Sequence, residues 1–141
     1  MNFKSNISTT REQSRRLLGL GVKPETADMY YWYEGNPYYC PYSLKVQDKV
    51  MPYELREEDV PSWSLSRLLE MMPDRAGELT LKVLPPMVGY LSSDIGRFYD
   101  EDDVFDNCVN MIEWLIGECY FNQDYLIHSN SSKTGKEEVQ P

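Results

Sequence analysis

The strongest hydrophobic periodicity in the chain lies in its last third. Val104, Phe105, Cys108, Val109, Met111, Ile112, Leu115 and Ile116 recur at three- and four-residue spacing, the signature of one apolar helix face. The acidic run Asp100-Glu101-Asp102-Asp103 precedes them and suits the positive end of a helix, and Gly117 marks the stop. A second helix is expected over Trp63–Met72, with Ser62 as N-cap and Pro73 as terminator. A third begins after Thr9 or Thr10, where Glu12 or Gln13 completes a capping box, and ends at Gly19 or Gly21. Pro24 and Glu25 then open a further helical turn, predicted to carry Ala27, Met29, Tyr30 and Trp32 inward.

Period-two alternation is confined to shorter stretches. Leu79, Leu81 and Val83 alternate with Thr80 and Lys82, the pattern of a half-buried strand. Pro85-Pro86 supplies a turn and Met87–Leu91 a return strand. Ser43–Val50 alternates loosely, and Glu54–Asp59 reads as an acidic loop closed by Pro61. Tyr30 to Tyr42 is dense in Tyr and Trp, and Gly35-Asn36-Pro37 and Pro41 break it into turns and extended chain. The expected fold is α+β: a small antiparallel sheet, with a hairpin near 78–92, packed on three or four helices. Residues 1–127 are expected to form a single domain and 128–141 a disordered polar tail.

Composition supports a folded chain. At 141 residues it is long enough to bury roughly 70% of its unfolded surface without disulfide or metal support. The mean hydropathy of −0.56 understates the core, because the 11 tyrosines score as polar yet bury large rings. Cys40, Cys108 and Cys119 are odd in number and irregularly spaced, as expected of free thiols in a reducing compartment. The polar first 16 residues lack a signal-peptide core, and no stretch approaches the roughly 18 apolar residues of a membrane span. A cytoplasmic location follows as the simplest expectation.

Charge changes the picture further. The net charge is −9, but residues 1–24 hold five basic side chains and one acid, while residues 100–127 hold eight acids and no Lys or Arg. The two ends either face each other within the fold, the simpler reading, or form two surfaces for different partners.

The residues offer little catalytic chemistry. The lone His128 falls at the start of the polar tail, with nothing to hold it beside a nucleophile. Cys108 and Cys119 read as small core hydrophobes, and Cys40 has no nearby cation to lower its pKa. Three Cys and one His without paired spacing do not build a zinc site, and the acids from Asp100 to Asp106 lack the calcium-loop pattern. Glu57, Glu58 and Asp59 read as solvated loop carboxylates. Gly19-Leu20-Gly21 and Gly135-Lys136 lack the flanking strand and glycines of phosphate loops. No cofactor or metal is therefore expected. The basic first helix invites a helix-turn-helix comparison, but Pro24–Tyr33 carries Glu25 and Asp28 and no Arg or Lys, which argues against DNA. The absence of basic residues from Tyr30 to Tyr42 likewise argues against single-stranded nucleic acid.

Four blocks carry a resemblance: Arg11-Glu12-Gln13-Ser14 with Leu17-Leu18-Gly19-Leu20-Gly21; Thr26-Ala27-Asp28-Met29-Tyr30; Pro61-Ser62-Trp63-Ser64-Leu65-Ser66 running into Leu68-Leu69-Glu70-Met71-Met72-Pro73; and Asn110-Met111-Ile112-Glu113-Trp114-Leu115-Ile116 with Tyr120-Phe121. In this order, across residues 8–126, they resemble small uncharacterised proteins of Bacteroidetes genomes and their prophage-like mobile elements. The resemblance implies an intracellular bacterial setting and carries no activity, cofactor or catalytic residue. The expectation is a non-enzymatic accessory protein that contacts an unidentified protein partner. Tyr31, Trp32, Tyr38 and Tyr39, with Asp100, Asp102 and Asp103, are the candidate contact residues. A small enzyme with a carboxylate and tyrosine site, or an acidic nucleic-acid mimic, are the alternatives.

Overall fold

The computed structural model describes residues 6–35, 41–93 and 95–127. Its elements are α1 (Arg11–Gly19), β1 (Met29–Tyr33), β2 (Tyr42–Val46), β3 (Val60–Ser62), α2 (Leu65–Met71), β4 (Arg75–Ala76), β5 (Leu79–Leu84), β6 (Met87–Ser92), β7 (Ile95–Tyr99) and α3 (Val104–Gly117). The three helices accompany two antiparallel sheets, ordered β2-β1-β3 and β4-β5-β6-β7. The chain is thus α+β, with two sheets where one was expected. The expected tail, and with it His128, lies outside the described residues.

The capping box at α1 forms with Thr10 and Gln13: the Thr10 hydroxyl accepts the Gln13 N–H, and the Gln13 amide oxygen accepts the Thr10 N–H. At the other end Gly21 takes φ +95°, and two bonds, Val22 N–H to the Leu17 carbonyl and Gly21 N–H to the Leu18 carbonyl, close a Schellman turn. The last helix ends in the same way, with Tyr120 N–H on the Leu115 carbonyl and Cys119 N–H on that of Ile116. Here the left-handed position, φ +65°, falls on Cys119 rather than on Gly117, which is still helical.

Three expected boundaries move for identifiable reasons. The turn at Pro24 stops at Thr26 as a single 3₁₀ turn, and Met29–Tyr33 becomes the central strand β1. A run of aromatic residues fits a pleated surface better than a helix, and pairing on both edges rewards it. Pro61 and Ser62 pair with Tyr30 and Met29, so the second helix starts later, with Ser64 rather than Ser62 as its cap. Pro61 is tolerated because β3 is an edge strand. The strand expected over 43–50 ends at Val46, since the Asp48 carboxylate accepts the N–H groups of Val50 and Met51 and turns the chain away.

β5 alternates half-buried Leu79, Leu81 and Val83 with exposed Thr80, Lys82 and Leu84, and pairs with β6 across a turn containing a cis Pro85-Pro86 bond. Val88 and Tyr90 of β6 are fully buried, and α3 packs over β6 and β7. The main core joins them to Leu17, Val22, Trp63, Leu68, Met71, Phe105, Cys108, Val109, Met111, Ile112 and Leu115.

A buried polar seam joins the start of the chain to β3. The Thr9 hydroxyl lies 2.8 Å from the Ser14 hydroxyl and accepts the Trp63 N–H, while the Ser62 hydroxyl donates to the Thr9 carbonyl. The Trp63 indole N–H donates to the Thr26 hydroxyl at 3.0 Å. This network satisfies the polar groups that a wholly buried Trp63 brings with it.

Candidate functional site

The aromatic residues of β1 face two ways, as a strand's alternation requires. Tyr31 is half-buried against the start of α1, and its hydroxyl donates to the Thr9 carbonyl. Tyr30 and Trp32 lie on the opposite face, beneath the loop between β2 and β3. Tyr53 of that loop stacks on Tyr30 with centroids 4.7 Å apart and planes at 18°. Lys45 and Arg56 lie 5.3 and 5.4 Å from the Trp32 ring. The sequence places no basic residue between Tyr30 and Tyr42, yet the fold supplies cations from β2 and the loop.

Asp59 holds this loop in place. Its carboxylate accepts the Tyr33 N–H at 2.9 Å, the Tyr53 hydroxyl at 2.7 Å, and the Arg56 backbone N–H and guanidinium at 2.8 to 3.1 Å. Burial pushes its pKa up, but the hydrogen bonds from Arg56, Tyr33 and Tyr53 outweigh burial and hold the carboxyl well below the usual carboxylate range. Arg56 also donates to the Tyr33 carbonyl. The solvated carboxylate expected at Asp59 is therefore corrected: it is buried because it satisfies donors from three residues, whereas Glu57 and Glu58 remain exposed.

Beside this loop lies a cleft of about 630 Å³, walled by the 3₁₀ turn at Pro24–Thr26 with Ala27 and Asp28, by residues 46–49 and 52–55, and by Arg67 of α2. Its apolar surface comes from Pro24, Ala27, Val46, Pro52, Tyr53 and Leu55. Four carboxylates, Glu25, Asp28, Asp48 and Glu54, face two cations, Lys49 and Arg67, leaving the lining acidic. Asp28 is committed to α2, accepting both the N–H and the hydroxyl of Ser64. Arg67 is committed to the Thr26 carbonyl and to Glu70. Glu25, Asp48, Lys49 and Glu54 stay exposed at the rim. Val46, which lines the cleft, and Val50 and Met51, which lie between its two walling segments without lining it, are 71, 87 and 78% exposed and form an apolar shelf beside it.

The candidate contact residues do not converge on this site. Tyr31 belongs to the α1 face and Trp32 to the loop face. Tyr38 and Tyr39 lie outside the described residues, as does Cys40. Asp100 and Asp102 are exposed ahead of α3. Asp103 is the N-cap, accepting the Phe105 N–H, and together with Asp106 it accepts the Gln13 amide. Sequence reasoning missed the cleft because its walls come from separated segments. The nearest signal in the sequence is the apolar pair Val50 and Met51 between Lys49 and Pro52, which adjoins the walling segments without lining the cleft.

The charge asymmetry is resolved in part within the fold. Arg16 bonds Glu113 and Asn110 of α3, joining the basic first helix to the acidic last one. Cys108 is fully buried, and burial pushes its thiol up to about 12. Among the described residues no group of three or more His, Cys, Asp or Glu is placed to hold a metal ion. No helix among them is long and apolar enough to cross a membrane.

No match to this chain is found among family models, curated proteins or solved structures.

Proposed function

We propose that this protein is a non-enzymatic binding protein that takes a short segment of a partner protein into the cleft between the Pro24–Thr26 turn and the Val46–Leu55 loop. The observation that carries this reading is the pairing of a cleft of about 630 Å³ with a shelf of exposed aliphatic side chains. Exposed aliphatic residues beside a concave acidic rim suit a partner segment in which apolar side chains alternate with Lys or Arg. The loop is ordered by Asp59 and by the Tyr30–Tyr53 stack, so the ordering cost of binding is reduced in advance. The two cleft residues with shifted pKa values owe the shift to contacts that shape the loop: the N–H groups of Val50 and Met51 lower the Asp48 carboxyl, and the bond to Asp59 raises the Tyr53 hydroxyl. A cytoplasmic setting and a role in a phage or mobile element are parts of the same proposal, drawn from the free cysteines and the resemblance above.

Selection from a displayed random-peptide library tests it. Enrichment of apolar-basic sequences is expected, with binding lost at least tenfold in Val50→Glu/Met51→Glu and weakened in Glu54→Lys. Recovery of sequences without charge preference, or binding unchanged in the double variant, refutes the assignment.

A further inference from the structure

The basic residues of α1 are divided between two environments. Arg16 points to α3 and finds Glu113 and Asn110. Arg11 and Arg15, one turn apart on another side, find no anion: the ion pairs among the described residues are Arg16–Glu113, Arg56–Asp59 and Arg67–Glu70. Arg11 is half-buried, with its guanidinium 4.2 Å from the centroid of the Tyr42 ring. A guanidinium laid over an aromatic face is fixed in orientation while its N–H edge stays available for a planar or tetrahedral oxyanion.

These two arginines line a cavity of about 500 Å³ with Thr10, Glu12, Tyr31 and Tyr42. Residues four apart on a helix stand about 5–6 Å from each other at Cβ, close enough for two guanidinium groups to reach one anion. The Thr10 hydroxyl accepts the Gln13 N–H, which leaves its proton to donate. Gln13 and Thr10 already satisfy each other's backbone N–H, so the site rests on side chains rather than on the helix end. A half-buried cation with no ion pair among the described residues stands out in a chain of net charge −9.

We propose that Arg11, Arg15 and Thr10 form a binding site for a phosphate monoester, separate from the peptide cleft. Two guanidinium groups against the single carboxylate of Glu12 match a dianion better than a carboxylate. A cavity of this size accepts inorganic phosphate or a whole nucleoside monophosphate, and the two sources share the same anchor.

The test uses the full chain, ¹⁵N-labelled, titrated at constant ionic strength with inorganic phosphate, adenosine monophosphate and acetate. Saturable shifts of the Arg11 and Arg15 side-chain Nε–H resonances are expected, with both phosphates binding at least tenfold tighter than acetate. Tighter binding of the nucleotide than of phosphate identifies a nucleotide ligand; equal binding identifies the free anion. Arg11→Gln is expected to weaken binding at least tenfold, and exposed Arg15→Gln several-fold with the melting temperature unchanged. Arg11→Lys, which keeps charge but loses the fork, should recover only part. Acetate binding as tightly as phosphate, linear non-saturating shifts, or full affinity in Arg15→Gln overturns the proposal.

Discussion

Replacing Asp59 by alanine tests whether one carboxylate organises the loop that walls the cleft. The substitution leaves the Tyr33 N–H and the Tyr53 hydroxyl without their acceptor and breaks the pair with Arg56. The Arg56 side chain is 45% exposed and regains water, so the full cost of stranding a buried charge does not apply. Two partly buried donors at about 1–1.5 kcal/mol each, plus a discounted ion pair, give a loss of about 3 kcal/mol. For a chain of this length that is a fall of about 10 °C in melting temperature. Asp59→Asn keeps one acceptor oxygen, enough for Tyr33 or Tyr53 but not both because they bond different carboxylate oxygens, and turns an NH₂ group toward Arg56, so more than half the loss is expected. The pH dependence has a fixed sign. The folded-state pKa of Asp59 lies below its unfolded value, so the unfolded chain binds the extra proton and the stabilisation is complete above about pH 5. It is lost as pH falls below about 4, and the Asp59→Ala protein lacks that part of the acid sensitivity. Thermal melts by circular dichroism from pH 7 to pH 3 measure both effects. A shift under about 2 °C at pH 7, or an unchanged gap between wild type and variant down to pH 3, refutes the reasoning.

Three further outcomes follow from single features. Cys119→Gly removes a side chain from a left-handed C′ position and is expected to stabilise the protein by about 0.5–1 kcal/mol in denaturant titration, whereas Cys119→Ala, which keeps a Cβ at that position, lacks the gain. Native alkylation followed by mass mapping should label exposed Cys119 and spare Cys108, whose burial and raised pKa keep it a thiol until the core opens. Ser8→Ala is expected to leave stability unchanged or raise it by up to about 1 kcal/mol, because the buried Ser8 hydroxyl has no hydrogen-bond partner among the described residues. A loss above about 1 kcal/mol would show that this hydroxyl is in fact satisfied.

Local signals decided much of what forms. The capping box at Thr10 and Gln13, the alternation of β5 and the periodicity of the 14-residue α3 are each complete within one local segment, and each element stands where its pattern lies. They were legible because backbone capping and one-sided burial impose their periods directly on the sequence. The aromatic run from Tyr30 to Tyr33 was not, since bulky residues suit a strand or a buried helix and only pairing with β2 and β3 selects the strand. That pairing also drew Pro61 and Ser62 out of the second helix and moved its cap to Ser64. The strand Ile95–Tyr99 carries no clean alternation, and it exists because β6 offers it a partner.

The site shows the same division at longer range. Sequence by itself determined the residue types: an aliphatic pair at Val50 and Met51, acids around them, and a basic first helix. It could not determine which charges remain available. Asp28 and Asp59 look like their exposed neighbours in the sequence, and only the approach of Ser64, Tyr33 and Tyr53 commits them. Arg11, Arg15 and Arg16 are likewise one basic cluster in the chain. The helix turns Arg16 to the acidic face of α3 and leaves the other two by Tyr42, because residues one apart point about 100° away from each other. Pairing between distant segments, which no local pattern encodes, thus decided where this protein has charge to offer a ligand.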